Sequence, residues 1–157
     1  MDNRLEILRR KIDELLIKGN QNNICLYISH MAGVAQFCTL LAMKRSLNVE
    51  LAATCGMLHD IFYMTGGSSD HHAVNGAKQA KTILKSMKTY SDDEIKIITD
   101  AISNHSNKKA VHGLYDELLK DADVLDHCLC NTDFPIAEKE VDRFENLLAE
   151  FGIARNP

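Results

Sequence analysis

Residues 57–61 read Met57-Leu58-His59-Asp60-Ile61, which places an imidazole beside a carboxylate at the end of an apolar segment. Successive side chains on an α-helix point about 100° apart, so two adjacent polar groups converge on one point most easily where a helix ends. Gly66 and Gly67 follow shortly afterwards, as is common where a chain leaves a helix. The pair is therefore predicted to stand at a helix end.

On both sides of this pair, apolar residues recur at the three- and four-residue spacing of amphipathic helices, and no strand pattern appears. Asn48 is expected to cap the helix that ends at His59, and Asp70 the helix after it. Ser91 and Glu94 form a Ser-x-x-Glu capping box for a later helix. The sequence predicts an all-α, compact single-domain bundle of about six to seven helices, with an N-terminal amphipathic helix over residues 1–20 and a C-terminal helix over 137–151.

Length and composition restrict the class of protein. A chain of 157 residues suits one domain, and a net charge of -4 gives no basic footprint for nucleic acid. The charged amphipathic N-terminus has no signal-peptide core, and the apolar stretches are expected to be too short to span a bilayer. Five cysteines without a Cys-x-x-Cys motif favour reduced thiols, and Cys128 with Cys130 is disfavoured as a metal pair. We therefore expect a cytoplasmic protein without nucleic-acid or membrane partners.

Several polar residues fall on largely apolar helix faces. His30 lies within a long apolar helix, His59 and Asp60 end the next, and Asp123 lies inside a later one. A single histidine on a helix face is more often a hydrogen-bonded core residue than a ligand. Buried carboxylates and imidazoles together, however, need a cation or strong donors, and a divalent metal ion satisfies several of them at once.

The ordered set His30, His59-Asp60 and Asp123, the last within the phrase Asp121-Ala122-Asp123-Val124-Leu125-Asp126, resembles the HD superfamily of metal-dependent phosphohydrolases. The resemblance covers about residues 24–130 and implies an HD-domain-like helical fold. It also implies that Asp123 is a metal ligand, whereas Asp121 and Asp126 orient the ligands or cap the helix.

Two further histidines match wider branches of this superfamily, His72 in His72-Ala73-Val74-Asn75-Gly76 and His105 in Ser103-Asn104-His105. In dinuclear branches these positions hold a second metal, and Asp60 bridges the two ions. In mononuclear branches they contact phosphate or assist proton transfer, so the resemblance leaves one or two ions open. It implies a divalent transition metal (Mn, Fe, Co, Ni or Zn), with Mg as a further possibility. His71, His112 and His127 are weaker candidates, although His127 shares a helical face with Asp123.

The resemblance implies hydrolysis of a small phosphorylated molecule, with a nucleotide as the leading class, by metal-activated water. Asp60, His72 and His105 are the candidate catalytic residues, and Lys108, Lys109 and Tyr63 the candidate phosphate-binding residues. The chain reads His59-Asp60-Ile61-Phe62-Tyr63 where the familiar phrase is His-Asp-Ile-Gly-Lys. Because that lysine is missing, substrates of lysine-bearing relatives do not transfer.

Two other functions compete with this one. Some dinuclear relatives are mixed-valent di-iron oxygenases, and a ligand-binding module could keep the fold without turnover. Metal identity and count would separate the three. Neither the substrate nor the oligomeric state follows from the sequence, and no aromatic base clamp stands out in it.

Overall fold

The computed structural model describes residues 3–19, 23–130 and 132–154. Within these ranges the chain forms eight α-helices and no strand, which confirms the all-α prediction. In chain order the helices are α1 (Arg4–Lys18), α2 (Ile24–Lys44), α3 (Val49–Leu58), α4 (Ile61–Met64), α5 (His72–Met87), α6 (Asp92–Asn104), α7 (Leu114–Cys130) and α8 (Val141–Glu150). The count exceeds the predicted number because α4 is a separate single turn that follows the His-Asp pair.

The helix ends follow from local capping chemistry. The Asn48 side chain accepts hydrogen bonds from the backbone N–H groups of Glu50 and Leu51, as predicted. Ser91 and Glu94 form the predicted reciprocal capping box. The predicted Asp70 cap is wrong, because the turn before α5 runs one residue further and puts His71, with a φ of 53°, at the N-cap without a side-chain hydrogen bond.

Helix α2 packs against both α3 and α7, while α5 packs against α4 and α6. The approach of α3 to α2 is close at Gly56, where an added Cβ would lie 2.7 Å from the Ala35 Cα. A side chain there would push the two helices apart, so this glycine fixes their separation. The helix ends that carry the His-Asp pair are thereby held against the middle of α2.

Helix α1 covers the core from outside the region of the family resemblance. Its apolar face buries Leu8, Ile12 and Leu16 completely or nearly so. Arg4 at its start pairs with Glu50 and Glu94, which attaches α1 to α3 and α6. The apolar face of this helix therefore packs against the core of its own chain.

Helix α2 corrects the expectation that no apolar stretch is long enough to span a bilayer. By length and composition alone, its 21 residues could cross a membrane. The core helix of a soluble protein passes the same test, and α2 buries Val34, Cys38 and Leu41 against its neighbours. The five cysteines, all within the described residues, form no disulfide.

A set of ion pairs attaches α8 to the rest of the fold. A turn of 3-10 helix, Glu138–Glu140, precedes α8, so the C-terminal helix begins later than predicted. Asp121 in α7 lies 2.7 Å from an Arg45 nitrogen and 2.5 Å from an Arg143 nitrogen. The other members are Glu117, which pairs with Arg143, and Glu150, which pairs with Arg45. We call these five residues the ion-pair network.

Candidate metal centre

Six of the sequence-predicted site residues converge on one region of the bundle. They are His30 in α2, His59 and Asp60 between α3 and α4, His72 at the start of α5, His105 just after α6, and Asp123 in α7. We call these six residues the His-Asp cluster. His59, His105 and Asp123 are buried, and the other three are partly buried.

The four histidines of the cluster share one orientation. Their Nδ1 atoms lie 2.7–2.8 Å from an oxygen: Asp126 Oδ2 for His30, Gly56 O for His59, Ser69 O for His72 and Ile102 O for His105. These oxygens only accept, so a neutral imidazole carries its proton on Nδ1 and leaves a lone pair on Nε2. For His59 and His105 the acceptor is a carbonyl in the last turn of the preceding helix, where backbone acceptors are left over.

Two of these lone pairs meet two carboxylates in a first group of candidate ligands. His30 Nε2 lies 3.1 Å from His59 Nε2. Asp60 Oδ2 is 3.9 and 3.6 Å from those two nitrogens, and Asp123 Oδ1 is 3.5 and 3.8 Å from them. Four atoms that can donate electron pairs therefore surround one small volume.

A second group shares Asp60 with the first. Asp60 Oδ1 lies 3.5 Å from His72 Nε2 and 3.3 Å from His105 Nε2, and these two nitrogens are 3.3 Å apart. This oxygen is buried, yet among the described residues it has no hydrogen-bond partner of acceptable geometry. The two oxygens of Asp60 thus face different sets of histidines.

These distances fit metal coordination. Metal bonds of about 2.0–2.2 Å to nitrogen and oxygen place neighbouring ligand atoms roughly 3–3.5 Å apart. Imidazole nitrogen together with carboxylate oxygen suits divalent transition metals. The unpartnered Asp60 Oδ1 and the surplus of lone pairs are what a cation would satisfy. The cluster can therefore hold a divalent metal, and its two groups have the composition of two adjacent ion positions.

The electrostatics keep the ligands in the forms that bind metals. Burial lowers the pKa of His59 to about 4, so its imidazole is neutral near pH 7. Burial alone would raise the pKa of Asp60, but the neighbouring His59 and His105 outweigh it and hold that pKa well below its usual range. For Asp123, burial is outweighed by Lys108 and His59, and its pKa is lowered as well.

Two lysines were predicted to hold phosphate, and the structure separates them. Lys108 is buried, with its Nζ 2.5 Å from Asp123 Oδ2, so its charge serves a candidate ligand. Arg143 donates to the Lys108 carbonyl and holds that backbone in place. Lys109 is exposed, and both lysines line a cavity of about 940 Å³ between α7 and α8. Phosphate binding by these two lysines stays a prediction.

Asp126 has the orienting role that the resemblance implied, since it accepts the Nδ1 proton of His30. Gly33 makes room for the Asp126 carboxylate, because a Cβ added at this glycine would lie 1.8 Å from Asp126 Oδ1 and clash with it. Asp121 belongs to the ion-pair network instead. His71 is exposed, and His112 contacts the buried Lys120, so neither joins the cluster.

Sequence reasoning underrated His127. Its ring stacks on His30 at a centroid distance of 5.2 Å, and its Nε2 lies 3.4 Å from Asp123 Oδ1. Its Nδ1 faces buried Glu140, and this contact raises the pKa of His127. The four-residue spacing from Asp123 was the available signal, whereas the Glu140 partner comes from a distant turn. The Ser106 hydroxyl, 3.0 Å from His72 Nε2, was missed entirely.

Comparisons with known proteins bear on the family and the fold of the chain. The family model described as HD domain matches residues 27–127. A crystal structure described as a predicted HD superfamily hydrolase, from an uncultured Thermotogales bacterium, is similar in fold with a TM-score of 0.63 and 20% identity, and the match covers 96% of this chain and 95% of that one. No curated protein matches the chain.

Proposed function

This chain belongs to the HD domain family, and we propose that it is a metal-dependent phosphohydrolase acting on a small phosphorylated molecule. The observation that carries the proposal is the set of four histidine Nε2 atoms directed at the carboxylates of Asp60 and Asp123. One buried oxygen of Asp60 has no hydrogen-bond partner among the described residues. A cluster of acceptors needs a cation, and a divalent metal in such a position activates water and polarises a phosphoryl oxygen. We also propose a cytoplasmic location, because all five cysteines are free thiols.

We assign His30, His59, Asp60 and Asp123 to one ion and His72, His105 and Asp60 to a second. Contacts within the chain support this assignment. Asp126 holds the His30 proton on Nδ1, and helix-end carbonyls hold those of His59 and His105. Lys108 engages one oxygen of Asp123 and leaves the other directed at His30 and His59.

In the reaction, water contributes a hydroxyl to phosphorus, the phosphorus–oxygen ester bond breaks, and the leaving oxygen takes a proton to become an alcohol. Asp60 lies between both histidine groups and is the carboxylate nearest to relay the proton of the attacking water to the leaving oxygen. Its low pKa keeps it ionised as a ligand and makes it a weak base, so a bound metal would have to supply the acidity of the water. Nucleotides are the first substrate class to test.

The test combines metal content with turnover. Purified protein is analysed for Mn, Fe, Co, Ni, Zn and Mg per chain, stripped with a chelator, reloaded with each metal and assayed on a panel of phosphomonoesters and nucleotides. We expect turnover that requires metal. Asp60→Asn should lose both metal and turnover. The control is Asp93→Asn, which makes the same charge change at an exposed position at the start of α6, the end far from His105, and it should keep both. Retention of metal and activity by Asp60→Asn would refute the proposal.

The second candidate function is a di-iron oxygenase, which the sharing of Asp60 between two histidine groups favours. Two irons per chain, a mixed-valent spectroscopic signal and substrate-dependent oxygen consumption would establish it. Tight binding of one ligand without any turnover would instead indicate a binding module.

A further inference from the structure

A cavity of about 330 Å³ opens directly beside the His-Asp cluster. One part of its wall is polar and consists of His30, Asp60, Asp126 and His127. The rest is mainly apolar and comprises Leu26, Tyr27, Tyr63, Met64, Cys130 and Phe134, with Ser29 at the edge. Because two candidate metal ligands line it, whatever occupies this cavity meets the cluster.

The apolar wall contains three aromatic rings from distant parts of the chain. Tyr27 is nearly buried at the start of α2, and its ring meets that of Tyr63 edge to face with centroids 5.8 Å apart. Tyr63 comes from α4, whereas Phe134 comes from the segment after α7. Tyr27 is fixed by its burial and holds Tyr63 in place, so part of this wall is preformed.

Three exposed large apolar side chains line this cavity. Tyr63 is 40% exposed, Leu26 62% and Phe134 70%, and all three line the same cavity. Isolated exposed apolar residues are ordinary, but several around one cavity indicate a binding surface. The polar wall beside them identifies the occupant as a molecule that reaches the cluster.

The two kinds of wall call for a ligand with two kinds of ends. One end must be an anionic group that can bind beside a metal ion held by the candidate ligands. The other end must be a flat apolar ring. Away from the cluster, the hydrogen-bonding groups of the lining residues are chiefly the hydroxyls of Tyr27, Ser29 and Tyr63, so the lining suits the face of a ring more than its edges. The volume lies at the small end of ligand pockets and suits one ring system with one phosphate.

We infer that Leu26, Tyr63 and Phe134 form a specificity pocket for the ring of a phosphomonoester, so that ring-bearing phosphomonoesters are preferred over phosphates of small polar alcohols. This inference rests on the proposed hydrolase function and adds its substrate class. The ring can belong to a simple aryl group or to the base of a nucleoside monophosphate. The pocket recognises what these share, an aromatic face at a short distance from a phosphate.

The test measures binding and turnover separately on the metal-loaded protein. Dissociation constants are determined by calorimetry for phenylphosphonate and methylphosphonate, which are not hydrolysed. The ratio of kcat/KM is measured for phenyl phosphate and for a nucleoside monophosphate, each against glycerol phosphate. We expect at least about a 10-fold preference for the ring-bearing compound in both assays.

Phe134→Ala and Tyr63→Leu should each reduce this preference about 5- to 10-fold, chiefly through KM and the phosphonate dissociation constant. Both residues are partly exposed, so thermal melting should show that the variants fold. Leu114→Ala, which removes an exposed apolar side chain away from the cavity, should leave the preference unchanged. A preference for only one of phenyl phosphate and the nucleotide would identify which ring source fits.

The outcomes separate this inference from the proposed function. Turnover of glycerol phosphate and phenyl phosphate with equal kcat/KM would refute the pocket while leaving the hydrolase intact. Preferential phenylphosphonate binding without any turnover would support the pocket and refute the hydrolase. A preference unchanged by both Phe134→Ala and Tyr63→Leu would also refute the pocket.

Discussion

Helix α7 contributes to two charged clusters that differ in how their groups are satisfied. In the ion-pair network, Asp121 meets two guanidinium groups, and Glu117 and Glu150 each meet one. In the His-Asp cluster, imidazole and carboxylate acceptors face one another, and among the described residues Lys108 is the one lysine or arginine paired with them. Charges that neutralise one another stabilise a fold, whereas a surplus of acceptors keeps a place for a cation. Asp121 and Asp123 are only two residues apart, yet Asp121 belongs to the ion-pair network and Asp123 to the His-Asp cluster.

The largest expected effect is the loss of metal when Asp123 of the His-Asp cluster is replaced. Asp123→Asn keeps an oxygen for Lys108 but removes the ligand charge, so we expect metal affinity to fall by at least about 100-fold, since even residues that only support metal ligands account for 10- to 100-fold. Chelator competition with metal analysis measures this. Asp121→Asn is the matched control in the same helix and should bind metal as the wild type does; equal affinities for the two variants would break the distinction.

The ion-pair network is expected to contribute to stability. Asp121→Asn leaves Arg45 and Arg143 without their shared carboxylate, and we expect the free energy of unfolding of the metal-free protein to fall by about 2–3 kcal/mol. Denaturant unfolding followed by circular dichroism gives this value. Asp123→Asn is not a control here, because it takes the carboxylate from the buried Lys108. The exposed Asp93→Asn is the control and should change the free energy of unfolding by less than about 1 kcal/mol. A loss for Asp121→Asn no larger than that for Asp93→Asn would contradict a stabilising role of the ion-pair network.

A smaller effect is expected at Asp126, which supports the cluster without facing its centre. Asp126→Asn weakens the hydrogen bond to His30 Nδ1, so metal affinity should fall about 10-fold. The measurement is the same chelator competition, with Asp93→Asn as the exposed control. An affinity equal to that of the wild type would show that His30 needs no carboxylate to orient it.

The smallest effect concerns pH. The hydrogen bond from Arg45 lowers the pKa of Glu150 below its ordinary 4.5. Because the folded pKa lies below the unfolded one, the stabilisation is fully present above about pH 5 and is lost as pH falls through the folded value. Metal-free wild type should exceed Glu150→Gln in its free energy of unfolding by about 0.5–1 kcal/mol at pH 6, and the difference should shrink as pH falls below the ordinary pKa of Glu150. A constant difference across this range would exclude a contribution from the ion pair.

The helices could be predicted because their signals are local, whereas the candidate ligands were predicted from the resemblance to the HD superfamily. Spacing of apolar residues defines a helix face, and Asn48 and Ser91 cap helices through their immediate neighbours. The same reasoning failed at Asp70, since the exact residue at which a turn ends depends on backbone geometry that composition does not specify. The type of element was therefore more predictable than its boundary.

Long-range pairings could not be predicted in the same way. Periodicity indicates which face a residue occupies, but not which partner meets it. The sequence predicted Lys108 as a phosphate-binding residue and gave no sign that it is the buried partner of Asp123. The contact of Tyr27 with Tyr63 joins residues 36 positions apart on different helices, so no aromatic pattern in the sequence announced the cavity.

The contact between Gly33 and Asp126 has a use in recognising other chains. A glycine inside a helix costs about 1 kcal/mol relative to alanine, and here it gives a carboxylate access to the His30 ring. His30-x-x-Gly33 in one helix and Asp123-x-x-Asp126 in another therefore make a paired signature readable from sequence. A chain with the His and Asp ligands but a bulky residue at the glycine position should orient its first histidine by another route. This signature could divide related sequences into structural subtypes before any of them is purified.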